Sequence, residues 1–415
     1  MKTLKKNGLK SAREACFLAL RAWLKQQKYL ADSFQEMRQK KSLDTVDLQL
    51  AQEIAFGVVR RFHTLDAILK KTLIDQKIKL KQEAKLVLKM AVYQLIFMDK
   101  VPIYAVVFES VELCKKYCPF QSGFINGILR KLTPLLPIKN IDELLSIEDY
   151  YSLPLEFVKK IKQDYPQDWK YFLETTISRP KMTYLNLDPK KQEGEVAYQT
   201  ERLTYQVLKK DPSSLKIFQS KKAYIQNPTP GILIDNLSSG MDPKTILDLC
   251  SAPGGKLILT HYLFPQAQLY ANEISSERMK RLEENLQKYD LHPTLFCQDG
   301  KNFQYDQKFD LIIIDAPCSN SGVLNKKPEA KFRLEEKNLQ ELKETQKQLI
   351  TQAVLQLSKH GIIFYLTCSV LKEENEEIIH QILNENPKLK LLKMKTLLPD
   401  LNGLDGGFGA AIQLQ

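Results

Sequence analysis

The chain has 415 residues, 43% of them hydrophobic and 27% charged, a balance that supports buried cores and excludes intrinsic disorder. That length exceeds one ordinary core, so two or three domains are expected. Its net charge of +12 is unevenly placed: residues 1–140 hold 26 basic and 12 acidic side chains, whereas residues 141–415 are nearly neutral. A polyanion-facing module joined to a neutral one is the consequence. Seven cysteines, an odd number over a long chain, point to reduced thiols in a cytoplasmic protein and not to a disulfide framework. Cys114 and Cys118 lack a second Cys/His pair at zinc-finger spacing, so no metal is expected. Arg21 interrupts the early apolar patch Cys16 to Leu20, which argues against a signal peptide, and no apolar stretch is long enough to span a bilayer.

Residues 10–133 read as helix after helix. Apolar side chains recur at three and four in Ala15, Leu18, Ala19, Ala22 and Trp23, and again in Leu50, Ile54, Ala55, Val58 and Val59. Basic pairs at Arg60-Arg61, Lys70-Lys71 and Arg130-Lys131 fall near expected helix ends. Pro134 and Pro137 break the pattern. From about 145 to 230 the sequence predicts a small α+β part, with a helix around Leu155–Tyr165, an extended piece Met182–Leu187 and a turn-rich Asp188–Gly194. The run Asn227-Pro228-Thr229-Pro230-Gly231 marks a further junction.

Beyond residue 245, short apolar runs alternate with helical stretches. The runs are Ile246–Leu249, Gln268–Ala271, Leu311–Ile314 and Ile362–Leu366, and the helices Ser275–Tyr289 and Leu339–Leu357. Such alternation predicts a doubly wound α/β sheet, whose ligands bind at the carboxyl ends of the strands. The first end reads Asp248 to Lys256 and contains Cys250, Ser251, Ala252, Pro253, Gly254 and Gly255. Its glycines let backbone N–H groups approach a ligand at the start of a helix, yet its spacing is neither that of a triphosphate loop nor that of the dinucleotide fingerprint. Acids follow at the later ends: Glu273, Asp299 and Asp315. Carboxylates would repel a phosphate-rich ligand, whereas a nucleoside with a cationic appendage, such as S-adenosylmethionine, suits them.

Two cysteines stand at strand ends in the same half, Cys318 after Leu311–Ile314 and Cys368 after Ile362–Leu366. A pyrimidine C5 is too weak a nucleophile to accept a methyl group unaided, and addition of a thiolate at C6 makes it enamine-like. Paired thiols beside a cofactor loop therefore point to that chemistry.

These residues resemble a known family. Asp248–Lys256, Asp315–Ser319, and Thr367–Ser369 followed by Glu373-Glu374-Asn375-Glu376 are similar to the Sun/Fmu family of RNA cytosine-5 methyltransferases, most closely its bacterial small-subunit (16S) ribosomal RNA branch. Glu53 to Arg60 and Gly123 to Arg130 resemble the NusB-like helical RNA-binding domain that precedes the catalytic part there. The resemblance implies a multidomain fold: an all-α NusB-like domain at 1–135, a small α+β RNA-binding subdomain at 145–230, and a Rossmann-like S-adenosylmethionine-dependent methyltransferase domain at 231–415. It implies that Cys250–Lys256 hold the methionine part of S-adenosylmethionine, Glu273 the ribose and Asp299 the adenine. Asp315 would lie between cofactor and base, Cys368 would attack C6, and Cys318 would help release the product. The implied partner is 16S ribosomal RNA, met by a monomer without a membrane, with the flipped base near the basic segment Lys326–Arg333. A transfer RNA substrate, or a non-catalytic RNA-binding assembly or antitermination factor, stays open as an alternative. Three places depart from the family pattern: Gln226-Asn227 for Gln-Asp, Asn320-Ser321-Gly322 for Gly-Thr-Gly or Ala-Thr-Gly, and Asp405-Gly406-Gly407-Phe408 for Asp-Gly-Phe-Phe, the last casting doubt on the packing of the final strand.

Overall fold

The computed structural model describes residues 11–72, 80–138, 140–188 and 194–415. Residues 189–193 of the expected turn-rich stretch, and residues 1–10 of the first expected domain, lie outside these. The chain divides into two compact units, Met1–Val158 and Lys159–Gln415.

Among the described residues of the first unit the three-and-four periodicity becomes seven helices: α1 (Ala12–Leu24), α2 (Leu30–Gln39), α3 (Thr45–Arg60), α4 (Phe62–Thr72), α5 (Gln82–Phe97), α6 (Ile103–Tyr117) and α7 (Ser122–Leu132). Two short ones follow, α8 (Ile141–Leu144) and α9 (Ile147–Tyr151). Side-chain oxygens satisfy N–H groups at helix starts: Ser11 accepts from Glu14 N at 3.2 Å, and Asp44 from Asp47 N at 2.7 Å. The apolar stripe of α1, Ala12, Ala15, Cys16, Phe17, Ala19 and Leu20, is wholly buried. Cys114 and Cys118 are free, buried thiols. Each basic pair occupies a helix end, where the dipole favours it. The Arg60-Arg61 pair is committed to packing, however. Arg60 is buried, while Arg61 donates to Tyr150 O at 3.1 Å and lies over the rings of Phe97 and Tyr150. Lys70, Lys71, Arg130 and Lys131 keep exposed side chains. Among the described residues, no helix is long and apolar enough to cross a membrane.

Helix α10 (Leu155–Asp164) falls at the division, and α11 (Trp169–Ile177) opens the second unit. An antiparallel sheet follows, built from β1 (Thr183–Asn186), β2 (Val196–Gln199), β3 (Thr204–Val207) and β4 (Ala223–Ile225) in the order β2-β3-β1-β4. A one-turn helix α12 (Lys216–Gln219) buries Ile217 and Phe218 against it, and Leu185, Leu203 and Tyr205 join the core beneath the larger sheet. The proline-rich run at 227–231 opens a helix, α13 (Pro228–Leu237): Asn227 caps it by accepting from Thr229 N at 3.1 Å, and Pro228 tolerates the first helical position.

The larger sheet has seven strands: β5 (Thr245–Asp248), β6 (Gln268–Asn272), β7 (Thr294–Phe296), β8 (Phe309–Asp315), β9 (Leu357–Thr367), β10 (Leu389–Leu397) and β11 (Gly407–Leu414), in the order β10-β11-β9-β8-β5-β6-β7. Strands β5 to β9 run parallel, and β11 lies antiparallel between β9 and β10. Their continuous apolar runs follow from burial on both faces. Ile246, Leu311 and Ile313 face α13, α14 (Gly255–Leu263) and α15 (Ser276–Lys288). Leu247, Ile312 and Ile314 face α16 (Glu336–Gln356) and α17 (Glu376–Glu385). Strand order reverses at β5: β6 and β7 lie on one side, β8 and β9 on the other. The carboxyl ends flanking that reversal form the crevice where this architecture binds ligands.

Candidate active site

At the end of β5 the chain turns tightly, with Gly254 N donating to Ser251 O at 2.7 Å, before entering α14. Gly254 adopts φ 100°, a left-handed conformation that glycine takes without strain, and a β-carbon there would sit 2.8 Å from Leu282. The outer carbonyls of the turn are claimed by α15: Arg278 Nη2 donates to Ala252 O at 3.0 Å, and Asn285 Nδ2 to Pro253 O at 2.8 Å. Two polar atoms inside it have no partner at hydrogen-bond distance, Asp248 Oδ2 and Ser251 Oγ. Burial, followed by the nearby Asp315 charge, pushes the Asp248 carboxyl up to about 7. Burial, then the same acids, also keeps Cys250 a neutral thiol.

Lys256 Nζ pairs with Asp315 Oδ2 at 2.6 Å, joining the glycine turn to the end of β8. Burial works against the Lys256 charge, but Asp315 more than offsets it, and the lysine titrates above its ordinary value. Glu273, buried at the end of β6, accepts from Ser275 N at 3.0 Å and has Arg278 Nη2 at 3.4 Å. Asp299, past the end of β7, caps a short turn by accepting from Lys301 N at 3.0 Å, and its side chain is about one-third exposed. Both acids stand on the β6/β7 side of the crevice, apart from the cysteines.

Cys318 Sγ and Cys368 Sγ are 3.2 Å apart, 50 residues distant in sequence. The thiols are inequivalent. Either sulfur can donate in this contact; a Cys318 S–H donated to Cys368 lowers Cys368 below the ordinary thiol value, against burial and with help from Lys327, while the same bond and burial raise Cys318. Cys368 is therefore the readier thiolate.

One buried carboxylate, which sequence reasoning quoted without assigning a role, ties the two loops together. Glu374 Oε1 accepts from Ser319 N at 2.8 Å and Gln346 Nε2 at 3.1 Å, and Oε2 from Ser319 Oγ at 2.5 Å and Ser369 Oγ at 2.6 Å. Asn375 completes the clamp, accepting from Thr367 Oγ1 at 2.7 Å and donating to Ser369 O at 3.0 Å. The adjacency of an acid run to Thr-Cys-Ser was the available signal. Asp248 was also missed as a site residue, although it closes the first strand.

The departures have local causes. Gly407 has no room for a side chain: a β-carbon would lie 2.9 Å from Thr367 O and 3.0 Å from Thr229 Cγ2. Phe408 fills the core instead, edge-on to Tyr365 at 6.2 Å, and β11 forms fully. Asn227 accepts from Asp405 N at 3.1 Å besides capping α13. Within the basic segment 326–333, Lys331 is buried and Lys326 pairs with Asp405 at 2.8 Å. Among the described residues, no group of three or more His, Cys, Asp or Glu side chains is placed to hold a metal ion.

Residues 238–414 match the family model described as 16S rRNA methyltransferase RsmB/F, and residues 10–134 match the NusB family. A protein named Ribosomal RNA small subunit methyltransferase B from Yersinia pestis bv. Antiqua (strain Angola) is 29% identical, over 90% of this chain and 92% of its own. Its namesake from Photorhabdus laumondii is 28% identical, over 88% and 90%. Among solved structures, PH0851 superposes with a TM-score of 0.75 at 21% identity, covering 98% of this chain and all of its own, a likeness of fold. A methyltransferase homologue from Pyrococcus horikoshii gives a TM-score of 0.56 at 19% identity, over 65% of this chain and 100% of its own. The methyl donor of the matched methyltransferase family is S-adenosylmethionine. A helical domain matching the NusB family thus precedes a doubly wound sheet that matches the 16S rRNA methyltransferase RsmB/F family and whose strand ends carry the glycine turn, the acids and the paired thiols.

Proposed function

We propose that the chain methylates C5 of a cytosine in 16S ribosomal RNA through a transient bond between Cys368 Sγ and C6 of the base. The observation that carries this reading is the thiol pair itself, 3.2 Å apart past the ends of adjacent parallel strands, with the more acidic sulfur just after β9. S-adenosylmethionine supplies the electrophilic methyl group. The turn fits it: the orphaned, buried Asp248 Oδ2 and Ser251 Oγ suit a cationic ammonium partner, and the N–H groups that open α14 at Gly255 and Lys256 suit the methionine carboxylate. Glu273 would take the ribose hydroxyls and Asp299 the adenine.

The protein's part in the reaction follows from this placement. Cys368 thiolate adds to C6, and the electron pair displaced from the C5–C6 double bond makes C5 the nucleophile. Asp315, held by Lys256, faces the base and stabilises the changing charge on its ring. After C5 takes the methyl group it still carries its proton. Once Cys368 is bonded to the base and Cys318 has given up its own thiol proton to solvent, the Cys318 thiolate is placed to take the C5 proton; the C5–H electron pair restores the double bond and Cys368 leaves as thiolate. The target cytosine must leave its stack to reach the pair. The exposed Lys70, Lys71, Arg130 and Lys131 contribute phosphate contacts that position the RNA without reading its sequence.

The test is Cys368→Ala, assayed with labelled S-adenosylmethionine on deproteinised ribosomal RNA. The expected result is no transfer to cytosine C5, with cofactor affinity within about twofold of the parent because the sulfur acts on the base. Full turnover would overturn the proposal. Methylation of transfer RNA in place of 16S RNA would move the substrate while leaving the chemistry intact.

A further inference from the structure

Asn320 stands at the apex of the Cys318 loop, where the resembled pattern has glycine or alanine. Its backbone lies at φ 59°, ψ 26°, a left-handed conformation that asparagine tolerates better than most side chains. The flanking residues are fixed, Ser319 by Glu374 and Ser321 by Val370 N at 3.0 Å. Three contacts then use both ends of the Asn320 amide. Its Nδ2 donates to Cys318 O at 2.9 Å, while Oδ1 accepts from Lys327 Nζ at 2.8 Å and from the Cys368 thiol at 3.2 Å. All three require the same orientation of the amide, since a flip would turn N–H groups toward an ammonium. The Lys327 charge is thereby held within about 6 Å of the sulfur, inside the range where an opposite charge favours a thiolate.

We propose that Asn320 is a positioning residue for the methyl-transfer reaction, its side-chain carbonyl fixing the Cys368 thiol and tethering Lys327 as the counter-charge of the thiolate. This rests on the reading of Cys368 as the nucleophile. The groups facing Cys368 are Cys318 and Asp315 from the end of β8, Lys256 from α14, and Lys327 from the turn after Asn320. Of these, Lys327 alone is exposed and reaches the sulfur only through another side chain. An untethered lysine would spend its time in solvent, so the amide makes a mobile charge a local one.

The experiment measures alkylation of Cys368 by iodoacetamide against pH in the full chain, peptide by peptide, alongside kcat and KM for ribosomal RNA. Asn320→Asp keeps the shape and the left-handed backbone but sets a carboxylate against the sulfur. Its alkylation midpoint should rise by about one pH unit and its rate near neutral pH fall about tenfold, with kcat falling in parallel and KM unchanged. Asn320→Gly suits the same backbone and removes the tether. Lys327→Met keeps the amide and should raise the midpoint by less than Asn320→Asp does; Asn320→Gly should raise it less again, because it also removes an acceptor that favours the protonated thiol. An alkylation profile unchanged in both Asn320 variants would overturn the proposal, as would a fall in kcat without a shift in that profile. Alkylation needs no RNA, so the two readings fail separately. Turnover by Cys368→Ala removes the nucleophile assignment, whereas an inactive Cys368→Ala beside unshifted Asn320 variants removes the tether alone.

Discussion

Replacing Glu374 by alanine tests whether one buried carboxylate holds the reactive cysteines together. The carboxylate receives four hydrogen bonds, from Ser319 N, Ser319 Oγ, Ser369 Oγ and Gln346 Nε2. Their losses are unequal. Gln346 Nε2 retains Pro317 O at 2.9 Å, and Ser369 Oγ retains Ser321 Oγ at 2.9 Å. Ser319 Oγ retains only a longer bond to Ser369 Oγ at 3.3 Å, and Ser319 N loses its acceptor. A bond to a charged group contributes about 1.5–3 kcal/mol, and removing the charge also relieves its own desolvation, so a net destabilisation of about 3 kcal/mol is expected. For a unit of this size that lowers Tm by roughly 6–12 °C. The catalytic loss should be larger than the stability loss, because Ser319 and Ser369 each adjoin a cysteine and a shift of about 1 Å in such geometry costs on the order of a hundredfold in rate. Glu374→Gln keeps one acceptor but turns an NH₂ group toward donors, and should fall between parent and alanine in both measurements. The assays are thermal unfolding and trapping of the covalent adduct on RNA containing 5-fluorocytidine, read on a denaturing gel. A Tm within about 1 °C of the parent, with adduct formed at the parent rate, would refute the idea that this acid joins the loops.

Cys318→Ala should accumulate a covalent RNA–protein adduct through Cys368; normal turnover with no retarded band would reduce Cys318 to a packing residue. Asp248 carries a pH prediction with a definite sign. Its carboxyl is pushed up to about 7, so it is largely protonated below that pH and offers an ammonium partner a charge only above it. Affinity for S-adenosylmethionine should therefore rise from pH 6 to pH 8 with proton release, measured calorimetrically in two buffers. Asp248→Asn should flatten that dependence, and an equally steep profile in the variant would place the titration elsewhere. Because the folded carboxyl binds a proton that the unfolded one has already lost between about pH 4 and 7, it also subtracts stability as pH rises through that window, and Asp248→Asn should reduce that loss.

What was legible in the sequence was whatever depends on local period and on strand ends. The helical stripes, the parallel strands and the strand-end side chains fall close to where periodicity and the topological rule put them, since burial on one stripe or on both faces writes itself directly into the order of residues. The contacts that join distant loops left no such mark. Glu374 reaches Ser319 across 55 positions, and Asn320 reaches Cys368 across 48. Nor can the short basic run 326–333 reveal that Asp405 pairs with Lys326 and that Lys331 is buried. The last strand is the sharpest case. There the family pattern favours phenylalanine at position 407, but the space beside Thr229 and Thr367 is already closed to a β-carbon. Gly407→Phe, which moves the chain toward the pattern it resembles, should therefore destabilise it. Backbone atoms of β9 and the capped start of α13 would have to separate, and overpacking of this kind typically costs about 1–3 kcal/mol or more. The variant should melt several degrees below the parent, and pairing it with Thr229→Ser, which removes the obstructing Cγ2 and keeps the hydroxyl bonded to Asp405 O, should recover part of the loss. A Gly407→Phe variant as stable as the parent would mean that β11 can shift to admit a side chain, and that resemblance to the family, not local packing, is the better guide at this strand.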